Sequence, residues 1–492
     1  MARCTTDSFT LTLRLDVNKN QVDILDKRFS VGCHLYNIGV KEAKRRLNKL
    51  YKDKGYQTIM KAYAKNKKFI ADQKSQLSSI RDKYNLTGQY SFEKYLNKGR
   101  QKYSCYIDAD TCAVIANTVW KSVESNIFGN GEDIYFKKNK DFNSLASKSN
   151  KQGIIYRYKR IKWIGLDIPV IIQKNDNYAT ECLDNHRIKF CRIKRKWHKH
   201  NYRYYAELVF EGIPPQKNRK YGNGRVGIDI GTSTIAAVSN EGVTFKELND
   251  GIESIDKEIA KLNRKADRQR RANNPDNYNQ DGTIRKNSKT FKRKWIVSSK
   301  QKITYDKLKE LNRIRSDKLK QFQNELANEI VSMGNDIVIE AMNIQGLQKR
   351  SKNTEISDKT KRYKKKKRFG KSIQIHAPAA LIQKVKRRVQ YCKGTFTEIN
   401  TFKVKASQFN HITGEYMSSE LNKRWKELIT GTKVQRDLYS AFLLYNALDE
   451  ETIDIDRCNK TFDNFYELHN HLINVMRILK SAGKHYPSCM GI

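Results

Sequence analysis

No two of the nine cysteines in this 492-residue chain form a Cys-x-x-Cys pair. A structural zinc site built from two Cys-x-x-Cys pairs is therefore not expected. An odd, scattered set of cysteines fits free thiols in a reducing compartment. Prolines number six against 26 tyrosines, a balance that argues against wholesale disorder. No apolar run is long enough to anchor the chain in a membrane. The first residues, Met1-Ala2-Arg3-Cys4-Thr5-Thr6-Asp7, hold no signal-peptide core, so a cytoplasmic setting is expected. No repeat of fixed period recurs. Acidic residues are scarce beside basic ones: 52 Asp and Glu against 97 Lys and Arg leave a net charge of +45. That excess calls for a large anionic partner. The cations are interleaved with Tyr and Trp, which points to nucleic acid rather than a membrane surface.

The length implies two or more domains. Phe9, Leu11, Leu13, Leu15 and Val17 alternate with polar residues, the pattern of a half-buried strand. Val22, Leu25, Phe29, Cys33, Tyr36, Val40, Ala43 and Leu47 then step by three and four, as in a helix. Residues 48–104 read as helical and basic. Asp110 is expected to cap a helix with Ile115, Val119, Val123 and Ile127 on its apolar face. Strands are expected over 134–212, with Tyr202, Tyr204, Ala206, Leu208 and Phe210 on one face and a turn at Lys199-His200-Asn201. The polar stretch 214–220 reads as a linker between domains.

Beyond it, three strands are expected, the second at Thr234–Val238 and the third at Val243–Leu248. A helical hairpin follows, with turn chemistry at 273–282 and an end at Gly334. Strand 337–340 comes next, then a Lys/Arg-rich run at 349–371. Pro378 suits the first turn of a helix to Tyr391. A strand at Phe396–Ile399 and a helix opening at Asp437 complete the pattern, with one amphipathic helix in the tail from 449.

Three acids sit in strand or helix-start contexts far apart in sequence. Asp229 lies in Gly227-Ile228-Asp229-Ile230-Gly231, Glu340 ends Ile337-Val338-Ile339-Glu340, and Asp437 lies in Gln435-Arg436-Asp437-Leu438-Tyr439-Ser440-Ala441-Phe442. A carboxylate at the end of a buried strand is costly unless a cation or donor meets it. On so basic a chain, three of them suggest a divalent-metal site acting on a polyanion. Phosphodiester cleavage with two metals needs carboxylates holding ions about 4 Å apart, and Mg²⁺ keeps several waters, so three protein carboxylates suffice. Gly231 is expected to keep the turn after Asp229 free of a side chain.

These three motifs resemble the first, second and third RuvC motifs of the TnpB group of transposon-encoded RNA-guided nucleases and their relatives, the compact type V CRISPR effectors. The resemblance covers most of residues 9–447. It includes the hairpin sequence Asp267-Arg268-Gln269-Arg270-Arg271-Ala272-Asn273-Asn274-Pro275, similar to an insertion in one branch. The group usually carries a zinc ribbon between its second and third motifs. The matching stretch here has no cysteine, so a degenerate segment is expected, held by packing through Tyr416, Leu421 and Trp425. Cys182, His186 and Cys191 are read as structural residues rather than zinc ligands. His469-Asn470-His471 and His198-Lys199-His200 are letter coincidences with other nuclease motifs.

The resemblance implies an α/β multidomain chain. Residues 1–220 would form an oligonucleotide-binding-type β-barrel with a helical recognition lobe inserted at about 18–130. Residues 221–448 would form an RNase H-like (RuvC) nuclease domain with a helical hairpin at 252–333 and the degenerate ribbon at 403–433, followed by a tail at 449–492. Asp229, Glu340 and Asp437 would be catalytic and hold two Mg²⁺ ions, with no zinc. Arg187, Lys189, Arg192, Lys194, Arg195, Lys196, Lys199, Arg268, Arg270 and Arg271 are the candidate nucleic-acid contacts. The implied partners are a guide RNA, target double-stranded DNA and its displaced strand, with a short flanking DNA motif read by protein, in the bacterial cytoplasm or nucleoid. An array-guided effector and an RNA-guided DNA binder with little cleavage are the rival readings. A strand-joining transposase also uses an acidic triad, but these motif contexts fit RuvC better.

Overall fold

The alternation near the start forms strand β1 (Ser8–Leu15), which buries Phe9, Leu11, Leu13 and Leu15 and turns the residues between them to solvent. The computed structural model describes residues 6–66, 69–129, 131–199, 201–215, 221–288, 290–348, 369–416, 423–428, 431–449 and 451–492. Two compact units divide the chain, Met1–Lys217 and Asn218–Ile492. Residues 216–220 of the expected linker, and 349–368 of the Lys/Arg run, lie outside the described residues.

In the first unit, five helices come between β1 and the next strand. They are α1 (Lys19–Lys52), α2 (Lys54–Asn66), α3 (Ala71–Lys83), α4 (Gln89–Arg100) and α5 (Ala109–Phe128). A reciprocal capping box of Asn18 and Gln21 starts α1, satisfying two backbone donors that the first turn would leave open. The cap of α5 is Asp108, not Asp110: its Oδ1 accepts from Thr111 N at 2.8 Å. Asp110 is already inside the first turn. Asp108 also accepts from the indole of buried Trp163 at 2.7 Å, a long-range bond that helps select it as the cap.

The remaining strands are β2 (Ser144–Ala146), β3 (Ile155–Arg157), β4 (Arg160–Trp163), β5 (Leu166–Ile171), β6 (Ile188–His198) and β7 (Asn201–Glu211), with α6 (Asn177–Asn185) before β6. They pair with β1 in the order β2-β6-β7-β1-β5-β4-β3, antiparallel throughout. Edge strands β2 and β3 have three residues each and do not pair with one another. The sheet nevertheless curls until β3 lies against β6. The oligonucleotide-binding-type barrel expected here takes the form of a curled half-barrel sheet, open between β2 and β3.

The second unit builds a five-stranded sheet from β8 (Arg225–Ile230), β9 (Thr234–Val238), β10 (Val243–Glu247), β11 (Asp336–Glu340) and β12 (Thr395–Ile399). Its order is β10-β9-β8-β11-β12; β8, β9 and β10 are antiparallel neighbours, while β11 and β12 run parallel to β8. Helices α7 (Glu253–Asn273) and α8 (Ser299–Met333) form a hairpin between β10 and β11. Four shorter helices follow: α9 (Ile344–Gln348), α10 (Gly370–His376), α11 (Pro378–Tyr391) and α12 (Thr401–Val404). Then come β13 (Phe409–Asn410), β14 (Glu415–Tyr416), β15 (Trp425–Glu427) and β16 (Lys433–Gln435), paired as two short hairpins, and helices α13 (Arg436–Tyr445) and α14 (Ile455–Ser481).

The sheet buries both faces. Val226, Ile228, Ile337 and Ile339 pack with α8 and α11 residues such as Ile330 and Leu381. On the opposite face, Val338, Ala236 and Val238 pack with α13 and α14 through Leu438, Phe442 and Phe465. Helix α14, expected in a tail, thus belongs to the core of the second unit. Its apolar face at Cys458, Phe465, Ile473 and Met476 would otherwise stand in water.

Candidate functional site

Strand alternation decides which residues meet. Gly227 and Asp229 share one face of β8, and Val338 and Glu340 share the corresponding face of β11. The two strands are parallel, with Ile339 opposite Ile228. Asp229 and Glu340 each lie one residue further on, so they extend from the same rung of neighbouring strands. Helix α13 crosses this face. Gly227 makes the crossing possible: a Cβ there would stand 2.1 Å from the Ala441 carbonyl oxygen and 2.2 Å from Tyr445 N. Gly231, expected to leave room for a phosphate, lines the same cavity as the acids. A Cβ at Gly231 would meet only ordinary contacts at 3.4 Å or more.

Asp437 occupies the first turn of α13. Gln435 caps that turn, its Oε1 accepting from Leu438 N at 2.8 Å. The Gln435 amide donates to the Met490 carbonyl at 3.3 Å, and its backbone N donates to His469 Nε2 at 3.0 Å. The histidine that spells a nuclease motif is thus a buried acceptor that positions a helix. A carboxylate at the start of a helix is favoured by the exposed amides. The Arg436 guanidinium lies 3.5 Å from Asp437 Oδ1.

Asp229, Glu340 and Asp437 line one cavity of about 530 Å³, together with Arg424 and Arg436. Burial and the neighbouring charges of Asp437 and Glu340 push the Asp229 carboxyl well above its ordinary range, with Arg436 opposing. Burial also raises Glu340, against a hydrogen bond from the Ala406 backbone. Among the described residues, no three His, Cys, Asp or Glu side chains close into a ready metal cage. The three acids form an open, all-oxygen set around a cavity. That donor chemistry suits a hard cation that retains water, and a cation there would offset the repulsion that raises Asp229.

The ten candidate nucleic-acid residues are not brought together in this way. On β6, Arg192 and Lys194 share one face and both reach Glu207 at 3.0 Å, while Lys196 is exposed, its amine 4.9 Å from the Tyr205 ring centre. Arg195 points the other way. It is 3% exposed, pairs with Asp26 at 2.9 Å, bonds Asn143 at 3.1 Å, and lies between the rings of Phe29 and Tyr202. Arg195 is therefore corrected from a nucleic-acid contact to a core residue. Its alternation with Cys191 and Ile193 was the sequence signal. Arg187 stands 3.6 Å from Glu211, and Lys189 donates to Thr6. Lys199 is exposed at the β6–β7 turn with φ +57°.

At the α7–α8 hairpin, Arg270 and Arg271 both pair with Asp267, at 2.6 and 3.0 Å, and lie over Trp295 and Tyr278. They organise the hairpin tip. Arg268 is exposed. Sequence reasoning missed Arg424, Arg436 and Gln435 beside the acids. The only signal was that Gln435 and Arg436 immediately precede Asp437.

The described residues of the ribbon-like segment bond to one another and to elements outside it. Lys426 Nζ donates to the Phe409 carbonyl at 2.6 Å, joining the two short hairpins, and lies 5.1 Å from the Tyr439 ring centre. His411 Nδ1 meets Tyr439 Oη at 2.7 Å. Burial lowers Lys426 to about 8, and burial with nearby Lys426 lowers His411 to about 4. Trp425 donates to the Gly491 carbonyl at 2.8 Å. Tyr416 is 50% exposed, so it packs less than expected. Leu421 lies outside the described residues. Cys182 and Cys191 are buried in α6 and β6, and His186 faces the Ile213 carbonyl at 3.1 Å.

The sequence matches no protein-family model and no curated protein. The solved structures that match include two cryo-EM complexes. A cryo-EM structure of a Cas12f1–sgRNA–target DNA complex aligns with 90% of this chain and 99% of that one, at 11% identity and a TM-score of 0.41. A cryo-EM structure of a CRISPR-Cas12f ternary complex aligns with 90% and 100%, at 11% identity and a TM-score of 0.29. These likenesses are loose, and the functional reading stands on the acidic site itself.

Proposed function

We propose that this chain is an RNA-guided DNA endonuclease of TnpB or type V kind, cutting phosphodiester bonds at one RuvC-like site. The observation that carries the nuclease reading is the convergence of Asp229, Glu340 and Asp437 on one cavity from two parallel strands and a helix start. The order β10-β9-β8-β11-β12, with the first three strands antiparallel, supports an RNase H-like core. The motif resemblance and the +45 charge support the guided part.

Asp229, Glu340 and Asp437 would hold Mg²⁺. When bound, such ions activate water and steady the leaving oxygen. The protein's own contribution is to fix the acids on packed elements, through Gly227 under α13 and Gln435 at its cap. Arg424 and Arg436 put positive charge on the same cavity wall, suited to the phosphate of a bound strand. Among the described residues, no helix is long and apolar enough to cross a membrane.

The test has two arms. RNA copurifying with the protein is sequenced, and Mg²⁺-dependent cleavage of matching DNA is compared for wild type, Asp229→Ala, Glu340→Ala and Asp437→Ala. Each substitution should lower cleavage about a thousandfold while leaving RNA binding intact. Full cleavage by Asp229→Ala protein would overturn the site. RNA copied from a transposon end, or from a repeat array, separates the two guided readings. Guided binding without cleavage would select the rival DNA binder.

A further inference from the structure

Strands β3 and β4 are joined by two residues, Tyr158 and Lys159, between the paired Arg157 and Arg160. Both turn residues have positive φ, +52° and +58°. This tight turn is normally filled by Asn-Gly, because a bulky side chain is disfavoured in the left-handed region. Tyr158 also exposes 86% of its surface, more than any other large apolar side chain among the described residues. Strain and a bare aromatic ring are separate costs, and the chain bears both at one point.

The tip is held firmly. The Lys159 carbonyl accepts from Val170 N at 2.9 Å, tying the turn to β5. Behind it, Ile161 and Trp163 of β4 are fully buried. Arg160 is engaged with Asp167 at 2.8 Å. Arg157 and Lys159 adjoin Tyr158 in sequence, both exposed. The result is a tight tip, tied to β5, that presents one exposed aromatic ring with two exposed cations next to it in sequence.

We propose that this tip is a base-stacking site. The Tyr158 ring packs on the face of an unpaired or terminal nucleobase, and Arg157 and Lys159 meet the adjoining phosphates. Every base has a π-face, so such a contact tolerates sequence, and cations beside the ring suit a polyanion. A protein partner would favour a wider apolar patch than one ring between two cations. This inference rests on the proposed nucleic-acid function.

The experiment uses the full chain and two probes: the copurifying RNA, and a mixed-sequence single-stranded DNA 20-mer (a length of about 20 covers at least one typical site) carrying 2-aminopurine. Tyr158→Ala should bind at least one probe about 5- to 150-fold more weakly. Tyr158→Phe and Tyr158→Trp should stay within about twofold, because the stacking face remains. Arg157→Gln and Lys159→Gln should each flatten the salt dependence by about 0.7 in log–log slope. The double variant Tyr158→Asn with Lys159→Gly separates function from folding: it relieves the turn, so its melting temperature should rise while binding weakens. Equal affinity of Tyr158→Ala and wild type for both probes would overturn the stacking site and leave the nuclease proposal standing. If wild type binds neither probe, the nucleic-acid function itself falls.

Discussion

The acidic cavity and the basic strand β6 assemble charge in opposite ways. Asp229, Glu340 and Asp437 are far apart in sequence, yet they line one cavity. Arg192, Lys194, Arg195 and Lys196 are nearly consecutive, yet alternation sends Arg195 into the core and the others outward. Nearness along the chain therefore says little about a shared site. A pleated strand separates neighbours, whereas a sheet with a crossing helix joins strangers. The acids repel and need something to offset them; the cations are already partly matched by Glu207 and Asp26.

The strongest way to break this contrast is to spoil the gathering of the acids. Gly227→Val should displace α13, because the added carbons have no space beneath Ala441 and Tyr445. Cleavage should vanish, and chemical denaturation should show a loss of about 3 kcal/mol or more. Retained cleavage would mean that α13 does not set Asp437. Asp229→Asn sharpens the same point. It should lose cleavage without losing stability. In metal-free buffer, wild-type stability should fall as pH rises from the ordinary carboxylate range through the raised Asp229 pKa, because the folded state keeps that proton longer. The asparagine variant should lack this slope in urea titrations, and Mg²⁺ should stabilise only the wild type.

A second experiment addresses the seat of α13. His411 is held neutral, with its pKa lowered to about 4 against the ordinary 6.5. The unfolded chain binds a proton that the folded chain refuses between those values. Stability should therefore drop by roughly 3 kcal/mol as pH falls from about 6.5 to about 4, and His411→Gln should flatten that part of the profile. In buffer without Mg²⁺, a chelator should leave the melting temperature unchanged, and elemental analysis should find much less than one zinc per chain. Stoichiometric zinc would show that the 403–433 segment is a metal site after all.

On the basic side the expected effects are smaller and of two kinds. Arg195→Ala should destabilise the fold by about 2–3 kcal/mol, the cost of losing a buried guanidinium whose partner Asp26 keeps some water. Lys196→Gln should change stability by no more than about 0.5 kcal/mol. It should instead flatten the salt dependence of RNA binding by about 0.7–0.9 in log–log slope. If both variants behaved alike, the two faces of β6 would not differ in role.

Periodicity made much of the architecture readable. The alternation at 9–15 became β1, the three-and-four spacing from Val22 became α1, and the strand and helix contexts of the three acids were all recovered. These patterns are local, and burial of one face acts on them directly. Arg195 was readable in principle, since it shares parity with Cys191 and Ile193, but charge drew attention away from alternation.

Other features depended on contacts across many residues. The choice of Asp108 over Asp110 as a cap turned on Trp163, 55 residues away. The need for glycine at Gly227 arises because α13, far along the chain, lies on β8. The place of α14 in the core, and the clasp of Lys426 and His411 where cysteines might have been sought, arise from packing partners that no local pattern names. The sequence by itself determined which segments alternate, which step as helices, and that an acidic triad sits on a basic chain, because those properties follow from neighbouring residues. Only the tertiary structure decided which charges face one cavity and which serve the core, because burial is set by whatever element packs above a residue, and that element is usually distant in sequence.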